Sequence, residues 1–136
     1  MLVNRRGKFL QTKERPTDIG LRHAILVVED NRDGRESLKQ LLEALGHVVR
    51  VADTGPEGVR LALEFEPDLA IIDLGLPGFD GFEVARRIRR TLGPSVRLIA
   101  NTGYDSPFFR NEAESAGFDE YSVKPALTLE LRRWLS

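Results

Sequence analysis

The chain has 136 residues, of which 41% are hydrophobic and 30% charged, with a formal net charge of −1 and no cysteine. That length suits one domain with one core. The near-balanced charge argues against a direct nucleic-acid binder, and the missing cysteine excludes disulfides and thiolate chemistry. No apolar run approaches the length that spans a bilayer, and the basic start is not followed by the apolar stretch of a secretory signal. A cysteine-free core suits a reducing compartment, so a cytoplasmic location is expected.

Residues 1–22 carry net +4 against −5 for the remainder. They are expected to form a flexible basic extension before a folded domain over residues 23–136. Ala24 to Val28 is a continuous apolar run ending in Glu29-Asp30, the pattern of a buried strand. Arg32 to Leu45 places Leu38, Leu41, Leu42 and Leu45 at helical spacing, and Gly46 closes it. A second strand is expected over His47 to Ala52. A second helix is expected from Pro56 to Phe65, with Val59, Ala62 and Leu63 facing inward.

Leu69 to Ile72 is a third buried strand, ending at Asp73, and a breaker-rich loop follows through Phe79. A third helix is expected from Gly81 to Arg90 on Val84, Ala85 and Ile88. A fourth strand is expected over Val96 to Ala100, ending at Asn101-Thr102. The fourth helix, Pro107 to Ala116, is the most polar, with Phe109, Ala113 and Ala116 on one face and Phe108 turned away as an exposed aromatic. A fifth strand covers Glu120 to Val123. A last helix carries Leu127, Leu131, Trp134 and Leu135 as its apolar stripe. Five strand–helix pairs in series predict an α/β, doubly wound, parallel sheet covered on both faces.

In such sheets ligands bind beyond the carboxyl ends of the strands. Glu29 and Asp30, Asp73, Thr102 and Lys124 stand at four of those ends. Clustered carboxylates repel one another, and a bound cation relieves the conflict. An all-oxygen donor set favours a hard ion such as Mg²⁺. Asp73 is then the candidate nucleophile toward phosphorus. Lys124 and the Thr102 hydroxyl would hold the phosphoryl oxygens, and the Gly75 carbonyl could add a metal ligand.

Other signals read as structural. His23 and His47 are placed near opposite ends of the strand pattern, with no ligand or base role. Arg86, Arg87, Arg89 and Arg90 read as solvated helix surface, and Trp134 as packing for the last helix.

Val27-Val28-Glu29-Asp30-Asn31, the run Ile71 to Gly81, Thr102-Gly103-Tyr104 and Tyr121-Ser122-Val123-Lys124-Pro125 together resemble the signatures of the response-regulator receiver domain, CheY-like, over residues 24–135. The resemblance implies a flavodoxin-like five-stranded sheet of order 2-1-3-4-5 with five helices. It implies that Glu29 and Asp30 hold Mg²⁺, that Asp73 accepts the phosphoryl group, and that the Gly75 carbonyl completes the metal shell. It also implies that Thr102 and Tyr121 form a switch and that Pro125 follows Lys124 in a cis bond. The implied donor is a phosphohistidine on a sensor histidine kinase or a histidine phosphotransfer protein. Homodimerisation through helix four, strand five and helix five is a further implied possibility.

Two departures stand out. Gly75 has no side chain to shield the site, and Tyr104 is expected to cover it in part. The expected function is a phosphorylation-controlled receiver, with no output domain expected after the fifth helix. Such a domain promotes its own phosphorylation and dephosphorylation without turning over an external substrate. The alternatives are a metal-dependent phosphohydrolase using Asp73 and a phosphorylation-independent scaffold of the same fold.

Overall fold

The computed structural model describes residues 22–125 and 128–135. Five strands, β1 (Ala24–Val28), β2 (Val48–Ala52), β3 (Leu69–Ile72), β4 (Arg97–Thr102) and β5 (Glu120–Val123), alternate with five helices. The helices are α1 (Arg32–Ala44), α2 (Gly55–Phe65), α3 (Gly81–Leu92), α4 (Pro107–Ala116) and α5 (Thr128–Leu135). All pairings are parallel, and the spatial order is β2-β1-β3-β4-β5, as expected. Residues 1–21, which carry most of the basic extension, and Leu127 lie outside the described residues.

The strands alternate their side chains between two apolar layers. Leu26, Val28, Ala70, Ile72, Leu98 and Ala100 face α2, α3 and α4. Ile25, Val27, Leu69, Ile71 and Ile99 face Leu42 of α1 and Leu131 and Trp134 of α5. β1 and β3 are buried along their whole length, which is why they read as unbroken apolar runs. Each fully buried Leu or Ile contributes on the order of 1.5–3 kcal/mol. Side-chain oxygens of Asn31, Thr54, Asp80 and Ser106 accept from the backbone N–H three residues on and start α1, α2, α3 and α4.

Three expectations are corrected. β4 runs on through Asn101 and Thr102 rather than stopping at Ala100, because both pair with β5. Leu63 is 40% exposed, whereas the expected Ala62 is buried and Val59 packs against the core, joined on the inner face of α2 by Gly55, Gly58 and Leu61. The phase of α2 is set at Gly58, where an added Cβ would sit 2.9 Å from the Val28 methyls. Close approach of helix to strand outweighs the larger side chain of Leu63. Leu45 is likewise 40% exposed, since it caps α1 as the chain turns toward β2. Phe108 stands out at 66% exposed, while Ala113 and Ala116 are buried, as the helical spacing required.

Candidate functional site

Each residue of the site is placed by the end of a strand. After β1 the chain turns at Glu29-Asp30. The Arg35 guanidinium donates to both of their carbonyls, at 3.0 and 3.4 Å, and so ties the turn to the first part of α1. Asn31 N–H donates to Glu29 Oε2 at 3.1 Å. Glu29 is thereby held inward and buried, whereas Asp30 is exposed.

Asp73 follows β3, and its N–H donates to the Val28 carbonyl at 2.9 Å. The loop returns so tightly that an added Cβ on Gly81 would fall 2.2 Å from the Asp73 carbonyl oxygen. Only glycine lets α3 begin against the backbone of Asp73. The Gly75 N–H donates to Asp73 Oδ1 at 3.2 Å and orients the carboxylate. Lys124 follows β5, its N–H donating to the Thr102 carbonyl at 2.7 Å, and its bond to Pro125 is cis, as the resemblance implied.

These strand ends converge. Lys124 Nζ donates to Asp73 Oδ2 at 3.0 Å and to Glu29 Oε1 in a second, tighter contact. Carboxylate oxygens of Glu29, Asp30 and Asp73 all lie within 4.8 Å of one another. One ammonium thus faces two buried carboxylates and a third at the rim. Burial pushes the Glu29 carboxyl above its ordinary pKa despite the hydrogen bond from Lys124, and the Asp73 charge adds to the rise. Lys124 is raised as well: burial pulls it down, but its bonds to Glu29 and Asp73 outweigh that. The two directions agree physically, since a single cation gains from two anions while the anions repel each other. The pocket is short of positive charge. Its hard oxygen donors suit a divalent ion such as Mg²⁺, which Glu29, Asp30 and Asp73 would hold.

Thr102 is buried at the end of β4, and its Oγ1 accepts from the Tyr104 N–H at 3.3 Å. The Tyr121 hydroxyl donates to the Tyr104 carbonyl at 2.5 Å, and the Arg110 guanidinium lies 4.6 Å over its ring. The two residues of the implied switch therefore meet at one loop residue. The Tyr104 ring is 64% exposed and stacks 5.4 Å from Phe109 of α4.

The sequence reading missed three features here. Arg35 carries no signal in the sequence, because nothing in its spacing shows that it reaches back over the turn before α1. Arg89 is not solvated surface like Arg86, Arg87 and Arg90. It donates to the carbonyls of Gly93, Val96 and Gly117 and to Asp119, and so clamps α3 to the end of α4. Finally, His23 and His47 are neighbours, with ring centroids 5.3 Å apart, at the amino end of the sheet. The parallel register of β1 and β2 brings them together, a pairing that sequence distance hides. Neither belongs to the acidic site.

Among the described residues no helix is long and apolar enough to cross a membrane. Comparison with known proteins agrees with the geometry. The solved receiver domain (CheY-like) from Methanospirillum hungatei JF-1 superposes with a TM-score of 0.77 at 32% identity, covering 82% of this chain and 89% of that one. The receiver domain of sensor histidine kinase PA1611 from Pseudomonas aeruginosa PAO1, which has a magnesium ion coordinated in its active site cleft, gives 0.76 at 33% identity over 83% and 93% of the two chains. Transcriptional regulatory protein AfsQ1 of Streptomyces coelicolor is 39% identical over 75% of this chain and 44% of its own length. Response regulator MprA of Mycobacterium sp. strain KMS is 38% identical over 79% and 46%. The chain thus spans about half the length of these two curated relatives. Residues 25–135 match the response regulator receiver domain, and the chain belongs to that family.

Proposed function

We propose that this domain takes a phosphoryl group onto Asp73 from a phosphohistidine donor, in a reaction that requires Mg²⁺, and that the modification changes which surface it offers to a partner. The observation that carries the reading is the bridge of Lys124 between Asp73 and Glu29, with Asp30 beside them.

Each residue has a distinct task. Asp73 Oδ attacks phosphorus as the bond from phosphorus to the donor imidazole breaks. The electron pair stays on the leaving nitrogen, and an acyl phosphate forms. Gly75 N–H fixes the carboxylate rotamer, which aligns the attack. Lys124 exchanges its contact with Asp73 for the phosphoryl oxygens and stabilises their charge. Glu29 and Asp30, with Asp73 and the Gly75 carbonyl, would hold Mg²⁺, which neutralises charge on the transferring group. The Thr102 hydroxyl gives up the Tyr104 N–H and turns to a phosphoryl oxygen. Because the Tyr121 hydroxyl holds the carbonyl of the same Tyr104, movement of Thr102 is transmitted to Tyr121 and the α4–β5 surface. Phosphorylation then shifts a balance between two arrangements of that surface.

The partners that fit are a sensor histidine kinase or a histidine phosphotransfer protein, with a second copy of the domain across α4, β5 and α5 as one possible reader of the modified state. A cytoplasmic location follows from such partners. The test is incubation with acetyl phosphate and Mg²⁺ followed by intact mass. A gain of one phosphoryl group is expected, and no gain in the presence of bound metal would refute the reading.

A further inference from the structure

We infer that Arg35 is a positioning residue for the acidic site: it fixes the Glu29-Asp30 turn through that turn's carbonyls and so sets how tightly the carboxylates take a divalent cation. The inference rests on the reading of Glu29, Asp30 and Asp73 as metal-holding residues. It adds a residue whose own side chain is not among the ligands.

β1 ends at Val28, so both acidic residues stand beyond the last residue of the strand. Past a strand end, backbone carbonyls need partners other than the ladder. Among the described residues no backbone N–H donates to the carbonyl of Glu29 or Asp30. Arg35 Nη1 does, at 3.0 Å to Glu29 and 3.4 Å to Asp30. The first bond is well within range and partly buried, whereas the second is long and exposed, so the Glu29 carbonyl carries most of the restraint. That carbonyl belongs to the peptide group joining the two acidic residues. Rotation of that group would swing both side chains, and the carboxylates would no longer converge within 4.8 Å on Asp73.

Arg35 serves as an anchor because α1 is itself fixed. Leu38 and Leu42 lie one and two turns further on; Leu42 is fully buried in the layer beneath α1, and Leu38 packs beside it. The first turn of α1 also lies close to the acidic turn, since a Cβ added on Gly34 would stand 3.7 Å from Glu29 Oε1.

Two effects of the guanidinium oppose each other. Its charge repels a metal ion, while its hydrogen bonds keep the carboxylates convergent. The geometry favours the second effect. Among the described residues Arg35 makes no ion pair with Glu29, Asp30 or Asp73, and the side-chain cation bonded to two of them is Lys124. A partly exposed charge is screened over about 8 Å at physiological salt, and a lost orientation is not. The sign therefore decides: loss of a repelling charge would tighten metal binding, and loss of an anchor weakens it.

Titration of the full chain with Mg²⁺, read from the amide resonances of Glu29, Asp30 and Asp73, tests this. Arg35→Ala should weaken binding about tenfold, the lower end of what losing a group behind a metal ligand costs. Arg35→Lys keeps a charge and a donor and should recover most of the affinity. Should Arg35→Ala fold poorly, Arg35→Met retains the aliphatic stem without the donors and should weaken binding similarly. Asp68→Ala loses the bond to the Ala24 N–H at the far end of the sheet and should leave the Mg²⁺ affinity unchanged, which separates positioning from a general loss of stability. Affinity equal to or tighter than wild type without the Arg35 donors overturns the inference. So does an equal loss in Asp68→Ala, or a wild-type chain that binds no Mg²⁺.

Phosphorylation by acetyl phosphate separates this inference from the proposed function. Arg35→Ala should raise the Mg²⁺ concentration at half-maximal rate about tenfold, with a smaller effect on the maximal rate. A chain whose Mg²⁺ affinity falls as expected but which never gains a phosphoryl group would sink the function and leave the positioning role standing.

Discussion

The two ends of the sheet bury polar residues in opposite ways. At the carboxyl end, Glu29, Asp73 and Lys124 face one another, and their charges are out of balance. At the amino end, His23 and Asp68 are buried and His47 half-buried, and hydrogen bonds with backbone groups hold them in place. Ala24 N–H donates to Asp68 Oδ2 at 2.8 Å, and His23 N–H donates to His47 Nδ1 at 3.1 Å. His23 Nε2 lies 2.9 Å from the Leu135 carbonyl, which can only accept, so that nitrogen carries the proton. The lesson is physical. Buried polar groups paired to backbone fix strand and helix ends. Buried charges paired mainly to one another, with more anion than cation, are poised to take on a further charge.

The contrast can be broken or sharpened by substitution. The largest effect is expected for Asp73→Asn, which should abolish the phosphoryl gain in an intact-mass assay. Retention of even a tenth of the wild-type rate would place the acceptor elsewhere. Lys124→Met should slow phosphorylation on the order of 10²-fold, as removal of a charge-stabilising donor usually does. The same change should lower stability in metal-free buffer by about 1–2 kcal/mol, discounted for partial exposure, because two close carboxylates lose their shared cation. Added Mg²⁺ should restore much of that loss in urea titrations, and an equal deficit with and without metal would contradict the pairing.

At the other end, Asp68→Ala should cost about 2–3 kcal/mol by leaving the Ala24 N–H buried without its acceptor. The phosphorylation rate of the folded protein should not change. A rate loss comparable to that of Lys124→Met would erase the distinction between the two ends. The smallest effect concerns pH. Burial, with the nearby His23 and Arg22, lowers the His47 pKa from 6.5 to about 4. A depressed imidazole means that the folded state resists a proton the unfolded chain accepts. The His47 contribution to stability is therefore complete above pH 6.5 and declines as pH falls toward 4. About 1–2 kcal/mol should be lost between pH 7 and pH 5. His47→Gln should flatten that slope in urea unfolding, and an unchanged slope would remove His47 as its source.

Much of this was legible before any coordinates. The unbroken apolar runs of β1 and β3 follow from burial on both faces, and Glu29, Asp30, Asp73 and Lys124 announce themselves by following such runs. The inner face of α3 was readable because Val84, Ala85 and Ile88 share one face at helical spacing among charged neighbours. The inner face of α2 was readable only in part, at Val59 and Ala62. Leu61 and Leu63 compete there, and the choice is made by a glycine that carries no hydrophobic signal. Arg35 and Arg89 were also hidden, since long side chains reach partners that helical spacing cannot specify.

Composition and order of residues by themselves determined the alternation of strands and helices, and with it which polar groups stand at strand ends. The reason is local: burial on two faces demands apolar runs, and charge must wait until the run ends. Tertiary structure alone decided how those ends are paired. The ammonium of Lys124 meets Asp73 from 51 residues away and Glu29 from 95, and the histidines meet through a strand register. Such meetings depend on sheet order and close helix approach, which belong to the packed chain and not to any segment of it.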